Sequence, residues 1–340
     1  MAHMWFGDLV TMRWWDDLWL NESFATFMSV LCQVEATRFK NGWVTFANNV
    51  KAGARRQDQL PTTHPISADV PDIQSVYLNF DAITYNKGAA VLRQLVAYVG
   101  QETFLRGVQR YVKQRQYSNA TLADFLADIE SGSGRDLKAW SKKWLETAGL
   151  NTLRPLTEVS DTTLALVTIQ QEAPPDHPTI RPHRLSLGLY DQHGSELALR
   201  RRMELDVVEQ QTPVPELTGE RTPNLLLIND QDLAYAKIRL DERSLATAID
   251  HLASLTDPLA RAVTCGPLGH AARCRAARPS LPGPHPQQHS WRNGYRCRAG
   301  PAGAGVVGHL GLWRSEQRPD GRPVAGRSCP AGTRRRPGRQ

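Results

Sequence analysis

Apolar positions recur with a spacing near 3.6 residues through most of the first 150 residues, and this is the period of an amphipathic helix. Thr121 begins a Thr-x-x-Asp pattern that resembles a capping box with Asp124, and Gly149 stands at a position suited to a C-terminal glycine cap. The pattern therefore predicts a largely helical segment. Its spacing is clearest at 19–34, 88–99, 121–129 and 137–145.

After residue 152 the pattern changes to an alternation of apolar and polar residues, which is typical of half-buried β-strands. Residues 191–194, Asp-Gln-His-Gly, suit a hairpin turn. Strands spaced in this way over about 90 residues predict a small β-sandwich. Helical spacing returns at 243–255, so the predicted fold class is α+β with several domains. The alternation is clearest at 163–171, 184–190, 196–207, 223–228 and 235–240.

Periodicity ends near Thr264, and Arg, Gly, Pro and Ala dominate from there to residue 340. This stretch holds 14 Arg and no Lys against two acids, a net charge of +12, so the remaining 263 residues carry −5 of the total of +7. Such a composition predicts a disordered tail without a packed core. It is either a natural basic arm or an out-of-frame translation of GC-rich DNA, and the break inside a beginning helical domain favours the frameshift.

Cysteine usage and the lack of targeting signals bear on the compartment. Cys32 is the only cysteine among residues 1–263, so internal disulfides cannot staple this part, which fits a reducing compartment. The sequence shows no signal-peptide pattern and no run of about 18 apolar residues that would cross a membrane. We therefore expect a cytoplasmic protein without a membrane partner.

His3 and Glu22 are separated by 18 residues in a tryptophan-rich segment. Taken alone, a His near a terminus is more often solvent-exposed than a metal ligand, and a Glu in such a segment is more often an ion-pair partner. The surrounding string is far more specific, since residues 2–12 read AHMWFGDLVTM and residues 18–25 read LWLNESFA. It resembles the segment of the aminopeptidase N (M1, gluzincin) family that runs from the second His of His-Glu-x-x-His to a zinc-binding Glu.

The resemblance implies that His3 is the second zinc ligand and Glu22 the third, with one Zn²⁺ per intact site. Two His one turn apart on a helix, with a carboxylate from a second helix, form a three-ligand site with an open position for water. By analogy with other catalytic zinc sites, the pKa of water bound there falls to about 7. The implied function is a zinc metallo-aminopeptidase that releases amino-terminal residues from peptide substrates.

A second motif occupies residues 81–88, which read DAITYNKG. By composition alone Tyr85 is an ordinary aromatic residue at a helix start. The string resembles the Tyr-x-Lys-Gly element of the same family, whose tyrosine directs its hydroxyl at the oxyanion of the tetrahedral intermediate. The resemblance therefore implies that Tyr85 is catalytic, since a neutral donor aimed at developing negative charge lowers the barrier selectively.

The resemblance extends over about residues 1–263 and implies a domain layout. A mainly helical, thermolysin-like catalytic part occupies 1–152, followed by the β-sandwich at 153–241. The start of a C-terminal helical domain follows at 242–263, and the disordered tail occupies 264–340. His64, in the loop LPTTHPI at 60–66, is expected to be structural, because the three-ligand site already has its members.

Parts of the family site have no counterpart in this sequence. The family's first zinc His and its general-base Glu would stand directly before Met1, and its amine-binding Gly-x-Met-Glu-Asn loop would lie further upstream. We therefore expect a chain truncated at its N-terminus that binds zinc weakly or not at all and is inactive as written. The full-length protein is expected to be a monomer.

Two other functions remain open. One is a non-catalytic scaffold whose Arg-rich tail binds nucleic acid, a partner that the frameshift interpretation disfavours. The other is a related epoxide hydrolase, which would share the zinc residues.

Overall fold

The computed structural model describes residues 1–276, and the stretch 277–340 lies outside the described residues. Helix is confirmed in all four stretches where the spacing predicts it. Two π-helical segments, Phe46–Lys51 and Ile83–Lys87, lead directly into α3 and α5, and 3₁₀ turns occupy Ala2–Met4 and Trp15–Asp17. The α-helices up to residue 145 are α1 (Leu18–Ala36), α2 (Gly42–Thr45), α3 (Ala52–Gln57), α4 (Ile73–Asn79), α5 (Gly88–Val99), α6 (Gln101–Arg115), α7 (Leu122–Ser133) and α8 (Leu137–Leu145).

Local sequence determines the start of α7 but not the end of α8. The predicted capping box is confirmed, because the Asp124 backbone N–H donates to Thr121 Oγ1 and the Thr121 N–H donates to the Asp124 carboxylate. The prediction that Gly149 caps α8 is wrong, since α8 ends at Leu145 and its flanking residue is Glu146. Gly149 does adopt a left-handed backbone, with φ 80°, but its N–H donates to the Asp58 carboxylate at 3.0 Å.

The strands of the described chain form three sheets, so the chain mixes helix and sheet as predicted. In the first sheet, β1 (Val10–Met12) pairs in parallel with β2 (Ser118–Ala120). The second sheet has the order β7-β4-β3-β9, and the third has the order β6-β5-β8. Their strands are β3 (Thr152–Ser160), β4 (Thr163–Glu172), β5 (His183–His193), β6 (Glu196–Val207), β7 (Gln211–Pro213), β8 (Leu225–Ile228) and β9 (Lys237–Ile238).

Every stretch with predicted alternation contains a strand, but three details differ. The hairpin turn lies at Gly194 and Ser195, because His193 pairs with Glu196 and the residues before it belong to β5. Three short strands of three residues each, β1, β2 and β7, lie outside the predicted stretches. β3 escapes prediction because burial alternates only over its first four residues, and its second half is largely exposed.

The two largest hydrophobic cores of the described residues are a helical core and a core between two of the sheets. The helical core is centred on an aromatic cluster in which Phe6 stacks on Tyr111, with ring centroids 5.6 Å apart, and Phe24 meets Phe125 edge-on at 6.1 Å. This cluster ties the first residues of the chain to α1, α6 and α7. The second and third sheets share the other core, to which both contribute leucine and valine side chains: Leu153, Leu164, Val167, Leu185, Leu187, Leu189 and Leu226.

A buried lysine joins the helical part to the β part. Lys51, at the end of the first π-helical segment, is fully buried, and its ammonium donates to Asp232 Oδ1 at 2.9 Å. It also donates to the backbone oxygens of Asp232 and Ala234, both at 2.8 Å. Burial lowers the pKa of Lys51 from 10.5 to about 7, although Asp232 opposes this change.

The last described elements are helical. The predicted helix at 243–255 is confirmed as α9 (Glu242–His251) and a following 3₁₀ turn. α10 (Pro258–Ala276) continues 13 residues past the compositional break at 263, with Pro267 inside it. The rest of the predicted disordered tail lies outside the described residues. No helix within residues 1–276 combines the length and apolar character needed to cross a bilayer.

Candidate active site

His3 lies in the 3₁₀ turn at the start of the chain, and its ring is oriented by the backbone that follows. Its Nδ1 lies 3.2 Å from the carbonyl oxygen of Phe6, a residue anchored in the aromatic cluster. The tautomer with its proton on Nδ1 can donate to this carbonyl and leaves Nε2 with its lone pair. A backbone carbonyl that accepts from one ring nitrogen commonly orients a metal-binding histidine. Half of the His3 side chain, 49 %, is exposed.

Glu22 lies in the second turn of α1 and faces His3. The helix is fixed by the buried neighbours Leu20 and Phe24, so the Glu22 side chain projects from a rigid element and is only 15 % exposed. Its Oε2 lies 3.4 Å from His3 Nε2. The structure thus brings together the two residues that the sequence motif pairs.

Tyr85 lies in the second π-helical segment, Ile83–Lys87, with its hydroxyl close to the Glu22 carboxylate. Burial and the neighbouring Glu22 carboxylate raise the pKa of Tyr85 to about 12. The phenol therefore stays protonated at neutral pH and acts as a donor. The three candidate residues His3, Glu22 and Tyr85 form one cluster, with Glu22 at its centre.

Close packing between α1 and α5 sets the distance between Glu22 and Tyr85. Ser23 Oγ donates to the backbone oxygen of Thr84 at 2.5 Å. A Cβ placed on Gly88 would lie 2.0 Å from the same Oγ, so the helices approach as they do only because residue 88 is glycine. Sequence reasoning missed the positional role of Ser23, and the glycine of the Tyr-x-Lys-Gly element is the signal that points to it.

His64 lies apart from this cluster in a network of its own. Its Nε2 is 3.2 Å from Asp81 Oδ2, and its Nδ1 is 2.7 Å from the Pro65 carbonyl oxygen. Burial disfavours the protonated ring, but the hydrogen bonds to Asp81 and Pro65 outweigh it and raise the pKa of His64 above 6.5. Asp81 Oδ1 accepts from the Ile83 N–H at 2.8 Å, so this network supports the start of the segment that carries Tyr85.

His3 and Glu22 fit zinc in ligand type and in separation. Two ligand atoms at about 2.0–2.1 Å from a tetrahedral zinc ion lie about 3.3–3.4 Å apart, which matches the 3.4 Å between His3 Nε2 and Glu22 Oε2. Within residues 1–276 there is no group of three or more His, Cys, Asp or Glu side chains that could hold a metal ion. As zinc ligands, His3 and Glu22 would account for two of the three protein ligands that a catalytic zinc site uses.

Comparison with known proteins covers the same segment. Residues 1–144 match the model of the Peptidase family M1 domain. The chain is 54 % identical to aminopeptidase N of Streptomyces lividans over 273 residues. These aligned residues make up 77 % of this chain and 32 % of that protein. It is 49 % identical over 149 residues to probable aminopeptidase 2 of Sulfurisphaera tokodaii, and these residues make up 44 % of this chain and 19 % of that protein.

A further relative is leucyl aminopeptidase of Saccharolobus solfataricus, 46 % identical over 154 residues, which cover 45 % of this chain and 20 % of that protein. The chain spans about a third or less of the length of these curated relatives.

Proposed function

We propose that this chain, which belongs to peptidase family M1, is part of a zinc-dependent aminopeptidase that releases amino-terminal residues from peptides. The observation that carries the proposal is the meeting of His3, Glu22 and Tyr85 in one cluster, although Glu22 and Tyr85 are 63 positions apart in the sequence. The names of its relatives, aminopeptidase N and leucyl aminopeptidase, support the same reaction class.

Each residue has a distinct role in this proposal. His3 Nε2 and the Glu22 carboxylate hold the metal ion, with the Phe6 carbonyl fixing the ring of His3. A zinc ion there would supply a Lewis acid and an activated water. Tyr85 holds a proton on its hydroxyl and donates a hydrogen bond to the oxygen of the scissile carbonyl as negative charge develops there. Its raised pKa keeps this donor intact across the neutral and mildly alkaline range.

The proposal includes the finer layout. We infer a thermolysin-like helical part at 1–152, a β-sandwich at 153–241 and the start of a further helical domain from 242. We also infer a cytoplasmic, monomeric full-length enzyme that acts on peptides and not on nucleic acid. Because His3 and Glu22 are two ligands and catalytic zinc sites use three, we expect this site by itself to bind zinc weakly and to support peptide hydrolysis that is slow at most.

Zinc competition with a chromogenic chelator tests the ligand roles. We expect His3→Gln and Glu22→Gln each to weaken binding by at least about tenfold, since each removes one donor of the site. His193→Gln is the matched control, because His193 is an exposed histidine in the β part and its loss should leave binding unchanged. Equal zinc binding by all four proteins would refute the site.

Hydrolysis of an aminoacyl p-nitroanilide tests Tyr85 separately. We expect Tyr85→Phe to keep the zinc affinity of the parent chain and to lower its rate by about 10²–10³-fold, the usual effect of removing one donor to an oxyanion. An unchanged rate in Tyr85→Phe would exclude the catalytic role while leaving the ligand assignment standing.

A further inference from the structure

One buried carboxylate joins four separate segments of the chain. Asp58, which follows α3, is fully buried, and its Oδ1 accepts from Lys87 Nζ at 3.0 Å. The same oxygen accepts from Thr63 Oγ1 at 2.7 Å and from the Gly149 N–H at 3.0 Å. Its Oδ2 accepts from the hydroxyl of Tyr235 at 3.2 Å. We call these five residues the Asp58 hub.

The hub reaches from the β part to the segment that carries Tyr85. Tyr235 lies between β8 and β9, yet its ring is fully buried in the helical core. At the other end, Lys87 is the last residue of the π-helical segment, two positions after Tyr85. A displacement of the Asp58 carboxylate therefore displaces Lys87, and with it the π-helical segment that places Tyr85 next to Glu22.

Charge and burial make the hub sensitive to the loss of one donor. Lys87 and Asp58 are both fully buried and form an ion pair, and the buried Arg181 adds a second positive charge nearby. Among the described residues, Tyr235 is the one hydrogen-bond donor to Asp58 Oδ2. Without that hydroxyl the carboxylate keeps three donors on Oδ1 and none on Oδ2, which favours its rotation and a shift of Lys87 with it.

We propose that Tyr235 is a positioning residue for Tyr85, acting through Asp58 and Lys87. The β part thereby belongs to the working active site, since it fixes where the Tyr85 hydroxyl stands relative to Glu22. This inference rests on the proposed function only in taking Tyr85 as a catalytic donor. The geometric statement, that the Tyr235 hydroxyl sets the environment of Tyr85, can be tested without zinc and without turnover.

The test is ¹⁹F NMR of the full chain with 3-fluorotyrosine placed at position 85. Glu22→Gln, which alters the direct partner of Tyr85, gives the reference shift of its resonance. We expect Tyr235→Phe to shift the resonance in the same direction as Glu22→Gln does, or to broaden it. The matched control is Tyr190→Phe, which also removes a buried hydroxyl that donates to a carboxylate, that of Asp230 at 2.5 Å, but lies outside the hub. It should leave the resonance in place.

Two outcomes overturn the proposal. One is a folded Tyr235→Phe chain whose position-85 resonance is unchanged, and the other is an equal shift in Tyr190→Phe, which would indicate general loosening. If Tyr235→Phe does not fold, Thr63→Val serves in its place, because Thr63, in a surface loop, is another donor to the Asp58 carboxylate. An unchanged position-85 resonance in the Thr63→Val chain would also overturn the proposal. A shift in Tyr235→Phe together with zinc affinity that is indifferent to His3→Gln would sustain the positioning role and reject the proposed function.

Discussion

Replacing Asp232 by Asn leaves the buried ammonium of Lys51 without its countercharge. The change keeps the shape of the side chain, and asparagine tolerates the left-handed backbone that Asp232 adopts, with φ 55°. The two carbonyl oxygens of Asp232 and Ala234 remain as acceptors. Breaking a buried ion pair by removing one partner costs about 3–5 kcal/mol, so we expect a loss of that order in the free energy of unfolding.

The same lysine predicts a pH dependence. Its pKa is about 7 in the folded chain against 10.5 ordinarily, so between these values the unfolded chain binds the additional proton. Stability therefore rises with pH through this window, and the penalty of burying the charge is greatest below about pH 7. For these two pKa values, linkage gives an increase of about 2 kcal/mol from about pH 7 to about pH 9. Lys51→Met should lack this increase.

Urea unfolding followed by tryptophan fluorescence measures both effects. The variants Asp232→Asn, Lys51→Met and the double variant form a cycle whose coupling energy isolates the pair. We expect the double variant to be more stable than Asp232→Asn, because it contains no uncompensated buried charge. A loss below about 1 kcal/mol in Asp232→Asn, or parallel pH profiles of the parent and Lys51→Met, would refute this account of the pair.

Two further predictions concern the surroundings of Tyr85. Gly88→Ala should lower the free energy of unfolding by about 3 kcal/mol, since its Cβ would meet Ser23 Oγ at 2.0 Å, whereas Gly53→Ala, with its nearest atom at 3.5 Å, should be neutral or stabilising in thermal melts. His64→Gln should destabilise more at about pH 6 than at about pH 9. The pairing of protonated His64 with Asp81 stabilises the fold fully below pH 6.5, and this stabilisation is lost as the pH rises through the raised pKa of His64 in the folded chain. An equal effect at both pH values in urea titrations would contradict that pairing.

The sequence by itself determined five of the described α-helices, most of the described strands and, through the family resemblance, the candidate site residues. Helical and alternating periods are local, because the apolar face of each element repeats along the chain, and the capping box of Thr121 and Asp124 is complete within four residues. The resemblance of the strings around His3, Glu22 and Tyr85 to the M1 family selected the three residues that the fold then brings together. Here local chemistry and tertiary structure agree.

Tertiary structure alone decided the burial of charge and the close approaches. Lys51 and Asp232 are 181 positions apart, and nothing in the local pattern of either residue distinguishes a buried lysine from a solvated one. The local sequence predicts that Gly149 is a helix cap, but its N–H donates to the Asp58 carboxylate. Local sequence cannot predict this bond, because Asp58 lies 91 residues earlier in the chain. Such pairs depend on which segments meet, and that is set by the sum of packing over the whole chain and not by any short stretch of it.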